Sequence, residues 1–166
     1  ESGTVWSWGW NGDGRLGHTG PPVHICVPRA LGGGLAGIRV LQVACGERHG
    51  LAVCSEGALW SWGLNSNGQL GRSGPRRRSS SSAAAAVAAA DNCDESNARV
   101  PARVEALGNE RVVEVSAGGL HSLAVGVSGA LYSWGAGRDG KLGHGDLAER
   151  WEPLRVAALE HEHVMQ

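Results

Sequence analysis

Phenylalanine is absent from this 166-residue chain, tyrosine and methionine occur once each, and no apolar run approaches the length of a bilayer. A membrane-spanning helix needs about 20 consecutive apolar residues, so no segment reads as one. Charge of either sign is not in excess: the formal net charge is −1. No overall field is therefore available to gather nucleic acid or an acidic membrane surface, and partners have to be argued from sites. Cysteine is sparse. Cys26, Cys45, Cys54 and Cys93 form neither a Cys-x-x-Cys pair nor a Cys/His pair of zinc spacing. They read as free thiols; Cys45 and Cys54 lie in apolar strand-like runs, where the residue behaves as a small hydrophobe. Such usage fits a reduced cytoplasmic or nuclear setting. No signal-peptide pattern is visible, and the chain opens at Glu1 in the middle of a pattern.

What the sequence does hold is glycine, 27 residues, and tryptophan, 7 residues. Without a Gly-X-Y period, glycine beside alternating apolar residues points to many short strands joined by tight turns. The arrangement repeats. "GTVWSWG" from Gly3, "GALWSWG" from Gly57 and "GALYSWG" from Gly129 are three copies of one unit. Each is followed by a second: "NGDGRLG" from Asn11, "NSNGQLG" from Asn65 and "GRDGKLG" from Gly137. Upstream, "VLQVACGERHGLAV" from Val40 matches "VVEVSAGGLHSLAV" from Val112, and the closing "HVMQ" looks like the start of one more.

The spacing exposes an insertion. Gly3 to Gly57 is 54 positions and Gly57 to Gly129 is 72. The surplus falls in "RRRSSSSAAAAVAAADNCDESN", residues 76–97, a biased stretch with no period of two. The expected organisation is a partial repeat over 1–37 (the last two strands of a blade), a full repeat over 38–110 carrying that insertion, a full repeat over 111–161, and the start of another at 162–166.

Each unit of about 50 residues reads as four short strands, like Val40–Ala44, Gly50–Val53, Ala58–Trp62 and Val100–Leu107, about eleven in all. Four strands per unit is the arithmetic of a propeller blade. The expected class is all-β, a β-propeller of four-stranded antiparallel blades. Alternation puts Trp60 and Trp62 on one face of the strand, with Trp6 and Trp8, and Tyr132 and Trp134, in the same places. These rings are expected to pack between blades. Gly9, Gly63 and Gly135 end that strand. Gly14, Gly17, Gly68, Gly71, Gly140 and Gly143 shape the turn that follows, and Leu16, Leu70 and Leu142 tie it to the core.

These linked motifs, V-x-x-V-x-x-G-x-x-H-[SG]-L-A-V followed by G-x-[LV]-[WY]-S-W-G and a turn ending in x-L-G, resemble the regulator of chromosome condensation repeat family. The resemblance covers the chain apart from residues 76–97. It implies an incomplete arc of a seven-bladed ring, whose remaining blades would be partners of those seen here. An open arc exposes apolar blade faces at both ends, so the isolated chain is expected to be marginally stable and prone to associate.

Among candidate sites, Gly46 and His49 recur as Gly118 and His121. A histidine set by the repeat reads as a hydrogen-bonded structural group rather than a general base. The glycine turns lack the G-x-x-x-x-G-K-[ST] pattern and a following helix, which argues against a phosphate cradle. Arg76, Arg77 and Arg78 before Ser79 read as a modification or contact segment, or as a solvated insert. No catalytic, cofactor-binding or metal-ligating residue is expected. Plant ultraviolet-B photoreceptors resembling the family carry their light-absorbing ring in a G-W-R-H-T motif; here Glu47 and Gly119 stand at the ring's place. The resemblance implies a protein-interaction module, often part of a larger ligase or kinase. It also admits a guanine nucleotide exchange factor acting on a Ran-type small GTPase, and a bacterial inhibitory role.

Overall fold

The computed structural model describes residues 2–21, 23–72 and 98–165. Among them ten strands form three antiparallel sheets. Strands β1 (Trp6–Trp10) and β2 (His24–Ala30) pair as a two-stranded sheet. The second sheet runs β3 (Val40–Cys45), β4 (His49–Cys54), β5 (Leu59–Gly63), β6 (Ala102–Arg103). The third repeats it with β7 (Val112–Ala117), β8 (His121–Gly126), β9 (Leu131–Gly135) and β10 (Arg150–Arg155). This is the all-β, four-stranded blade architecture that the repeats imply. The insertion, with Arg76, Arg77, Arg78, Ser79 and Cys93, lies outside the described residues.

Two details differ from the sequence reading. The closing strand of the second sheet shrinks to two residues and passes into a 3₁₀ turn, Glu105–Leu107. Pro101 stands just outside β6, whereas Pro153 sits inside β10. An outermost strand tolerates a residue without an N–H, because one of its edges has no ladder to join. Cys45, read as a buried hydrophobe, is exposed on β3 along with Cys26 on β2, while Cys54 is buried.

The rings fill the gaps between neighbouring sheets. Trp62, with Trp60 at its margin, packs on Leu31, Leu35 and Ala52, joining the first sheet to the second. Trp134 and Tyr132 pack with Val112, Val115 and Ala124 of the third sheet against Leu51, Val53, Leu59 and Val104 of the second. Glycine makes room at one telling point: a Cβ on Gly50 would collide with the Trp62 ring. Trp6 and Trp8 occupy the same places on β1 but are 55% and 60% exposed. The expectation of interblade packing fails there because no described sheet lies on that side. No helix among the described residues is long and apolar enough to cross a membrane.

Candidate functional site

The serine between each pair of rings is committed to the turn that follows. Ser7, Ser61 and Ser133 each donate Oγ–H to the carbonyl of the turn leucine, Leu16, Leu70 or Leu142, at 2.6, 2.8 and 2.6 Å. Eleven residues after the serine, His18 and His144 place Nε2 3.0 and 2.9 Å from Ser7 and Ser133 Oγ. Arg72 fills that place in the middle repeat. A hydroxyl whose one proton goes to a carbonyl can only accept from the imidazole, so Nε2 carries the hydrogen. That polarity is the reverse of what activates a serine nucleophile. Burial, followed by the charge of Arg29, also holds His18 below the usual histidine range, which keeps it neutral.

Asparagine opens the turn. Asn11 and Asn65 Oδ1 accept the amides of Leu16 and Leu70 at 3.1 and 3.0 Å, an arrangement that satisfies a backbone donor the turn cannot. Gly137 takes this position in the last repeat. The Asn65→Ala variant leaves the Leu70 amide, beside a fully buried side chain, without its acceptor. It is expected to cost about 1–2 kcal/mol in urea unfolding.

A buried polar seam joins the second and third sheets. His49, 2% exposed, places Nε2 2.9 Å from Ser122 Oγ across the seam. Ser122 in turn donates to the Gln69 carbonyl at 2.8 Å, and the Trp134 indole donates to the same oxygen at 2.9 Å. The same logic of a spent hydroxyl proton makes His49 the Nε2–H tautomer. Its Nδ1 is buried without a hydrogen-bond partner among the described residues, and burial, then the nearby His121, pushes its pKa down to about 4. His121 itself is half-buried at the outer side of the last sheet, held low by burial and then Lys141. Gln42 completes the seam, exchanging hydrogen bonds with the Val115 amide and carbonyl at 3.2 and 3.4 Å. Between the first and second sheets, the Trp62 indole donates to the Arg15 carbonyl at 3.0 Å. Arg15 and Gln69 hold the same place in their turns, just before the leucine.

One end of the sheets gathers the exposed charge. Arg15 bonds Asp13 at 2.9 Å and the Glu47 carbonyl at 3.2 Å, and Arg48 lies 3.7 Å from both Asp13 and Glu47. Lys141 and Asp139, 3.4 Å apart, occupy the matching turn of the last sheet. Asp13 and Asp139 both hold positive φ, 59° and 64°, which aspartate tolerates better than most residues. Asn67 Nδ2 reaches Glu149 at 2.7 Å on the same side. Among the described residues, no group of three or more His, Cys, Asp or Glu is placed to hold a metal ion.

The recurrent glycines and leucines thus stand in the turns, the rings other than Trp6 and Trp8 stand in the seams, and His49 meets Ser122. His121 has no such neighbour among the described residues. The sequence reading missed Ser7, Ser61, Ser133, His18, His144, Gln42 and Gln69. The serines and the two histidines were open to it, because aligning the repeats lines up S between the rings and H after L-G. Gln69 was not: it matters through its carbonyl, which no side-chain pattern reveals.

Matches to the family described as Regulator of chromosome condensation (RCC1) repeat cover residues 2–53, 56–125 and 128–166, and a second description of the repeat matches 40–69 and 112–141. The chain is 40% identical over 158 residues to the ultraviolet-B receptor UVR8 of Arabidopsis thaliana, covering 95% of itself and 31% of that protein. It is 35% identical over 164 residues to the human E3 ubiquitin-protein ligase HERC2, covering 98% of itself and 3% of the ligase. The crystal structure of Prp20p from Saccharomyces cerevisiae, described with its binding to Gsp1p and histones, superposes with a TM-score of 0.71 at 24% identity, over 92% of this chain and 34% of that one. The chain therefore spans about a third or less of each of these proteins. At that identity the structural likeness shows the β-propeller fold.

Proposed function

The chain belongs to the Regulator of chromosome condensation (RCC1) repeat family, and on that premise we propose that it is a protein-interaction propeller module whose charged loop end binds a protein partner. One observation carries this reading. The buried serines and histidines spend their hydrogen bonds on turns and seams, whereas Asp13, Glu47, Arg48, Asp139 and Lys141 stand on loops from different sheets with much of their charge in solvent. Loops carried on a rigid scaffold are where recognition residues concentrate. Mixed charge at such a surface sets partner choice and encounter rate more than raw affinity.

Light sensing does not transfer from UVR8, because Glu47 and Gly119 supply no ring at the motif's position. Nucleotide exchange gains no residue from the structural likeness to Prp20p, which extends to the fold.

The test compares two variants in cross-linking capture from one extract. Arg48→Glu with Lys141→Glu alters the loop end; Arg111→Glu alters the opposite end, where Arg111 bonds the Glu56 carbonyl. A partner recovered with the wild type and with Arg111→Glu, and lost with the loop-end variant, is the expected result. Equal recovery with both variants refutes the assignment. Accelerated nucleotide release from a Ran-type GTPase by the chain would instead establish exchange.

A further inference from the structure

Two Asn-Gly pairs occur in the chain, Asn11-Gly12 and Asn67-Gly68, and the structure gives them opposite surroundings. Asparagine before glycine is chemically labile. With no Cβ on the second residue, little obstructs its backbone nitrogen from closing on the carbonyl carbon of the asparagine side chain. Asn11 is 1% exposed, and the backbone holds both ends of its amide: Oδ1 accepts from the Leu16 amide at 3.1 Å, and Nδ2 donates to the His18 carbonyl at 3.2 Å. Turning that side chain breaks the turn.

Asn67 is half-buried at the loop end, and its amide meets two exposed side chains instead. Ser66 donates Oγ–H to Oδ1 at 3.1 Å, and Nδ2 donates to the Glu149 carboxylate at 2.7 Å. A hydroxyl on Oδ1 stabilises the charge that builds there as a nitrogen adds to the carbon. The Gly68 N–H makes only a long bond, 3.4 Å, to the Asn65 carbonyl. The second and third sheets both flank this turn, so its exposure belongs to the loop end and not to an open side of the arc.

We propose that Asn67 is a deamidation site of the folded chain. The Gly68 nitrogen gives up its proton and bonds to Asn67 Cγ, the Cγ–Nδ2 bond breaks, and Nδ2 leaves as ammonia, taking up that proton through solvent or through Glu149. Water then opens the cyclic imide at either carbonyl, giving aspartate or isoaspartate; one water is consumed and one ammonia released. The matching turns already carry an acid, Asp13 or Asp139, each beside its own cation, Arg15 at 2.9 Å or Lys141 at 3.4 Å. Gln69 holds that place in the middle turn and brings no charge. The new carboxylate therefore faces Glu149, and a hydrogen bond between the second and third sheets becomes a repulsion.

Peptide mapping by tandem mass spectrometry tests this on the 166-residue chain incubated at mildly alkaline pH, in native buffer and in urea. In native buffer Asn67 is expected to convert to aspartate and isoaspartate about tenfold or more faster than Asn11, which reacts only through openings of its turn. In urea the two convert at similar rates. Asn67 that stays intact in native buffer, or Asn11 that keeps pace with it there, overturns the proposal. The consequence has its own check: Asn67→Asp is expected to lower the urea midpoint at neutral pH, and to lower it clearly less in a Glu149→Gln background. An equal effect in both backgrounds overturns the proposed clash.

Discussion

Replacing Trp134 with alanine is expected to lower the unfolding free energy by about 3–5 kcal/mol, while the same change at Trp8 costs well under 1 kcal/mol. The two residues occupy the same place in their repeats, so sequence gives no reason to separate them. Their surroundings do. Trp134 is 0% exposed within the cluster of Leu51, Val53, Leu59, Val104, Val112, Val115 and Ala124, and its indole donates to Gln69. Truncation opens a cavity between two sheets that cannot close without moving both, and it removes one of the two donors on the Gln69 carbonyl. Trp8 is 60% exposed, so truncation takes away little that is out of water. Urea unfolding at low protein concentration checks the pair. Similar losses at the two positions would contradict the packing described.

The second large effect is on pH. His49 titrates near 4 in the folded chain, against about 6.5 when unfolded, because its buried site favours the neutral ring. The unfolded chain therefore binds a proton first as pH falls. The stabilisation is fully present above about pH 6.5, declines as pH drops toward 4, and levels off below that. The loss across the window is about 3 kcal/mol. His18 and His121 are shifted in the same direction and add to the slope. Asp146, held below the usual carboxylate range by its hydrogen bond from Arg150, acts in a more acidic window. Comparing urea unfolding at pH 7.5 and 4.5 for the wild type and for His49→Asn checks this. The variant is expected to be less stable at the higher pH and to show a clearly shallower dependence.

The fold was legible because the repeat unit states its own strands. The W-S-W alternation fixes one face, and glycine, asparagine and aspartate mark where the chain reverses. The length of a closing strand was not legible. "ARVEALG" from Ala102 keeps the apolar character of a strand, yet after Arg103 it turns into a 3₁₀ segment. Exposure was also hidden, since Trp8 and Trp62 hold the same place in near-identical heptapeptides and differ in whether a sheet lies against them. The candidate loop end was legible only as turns; that Arg15 and Arg48 meet at Asp13 is a contact between sheets. The repeat also concealed the direction of its hydrogen bonds. A serine near a histidine invites a catalytic reading until the serine proton is traced to a leucine carbonyl.

The structural role of the seam depends most on that direction, and imidazole nitrogen NMR of His49 in the intact chain tests it directly. The prediction is a neutral ring protonated on Nε2, remaining so as pH falls until about 4. An Nδ1–H tautomer, or a titration near 6.5, would contradict it. The first result would mean that the Ser122 hydroxyl is not pledged to Gln69; the second would mean that the ring is less buried than described, since an imidazolium also donates from Nε2.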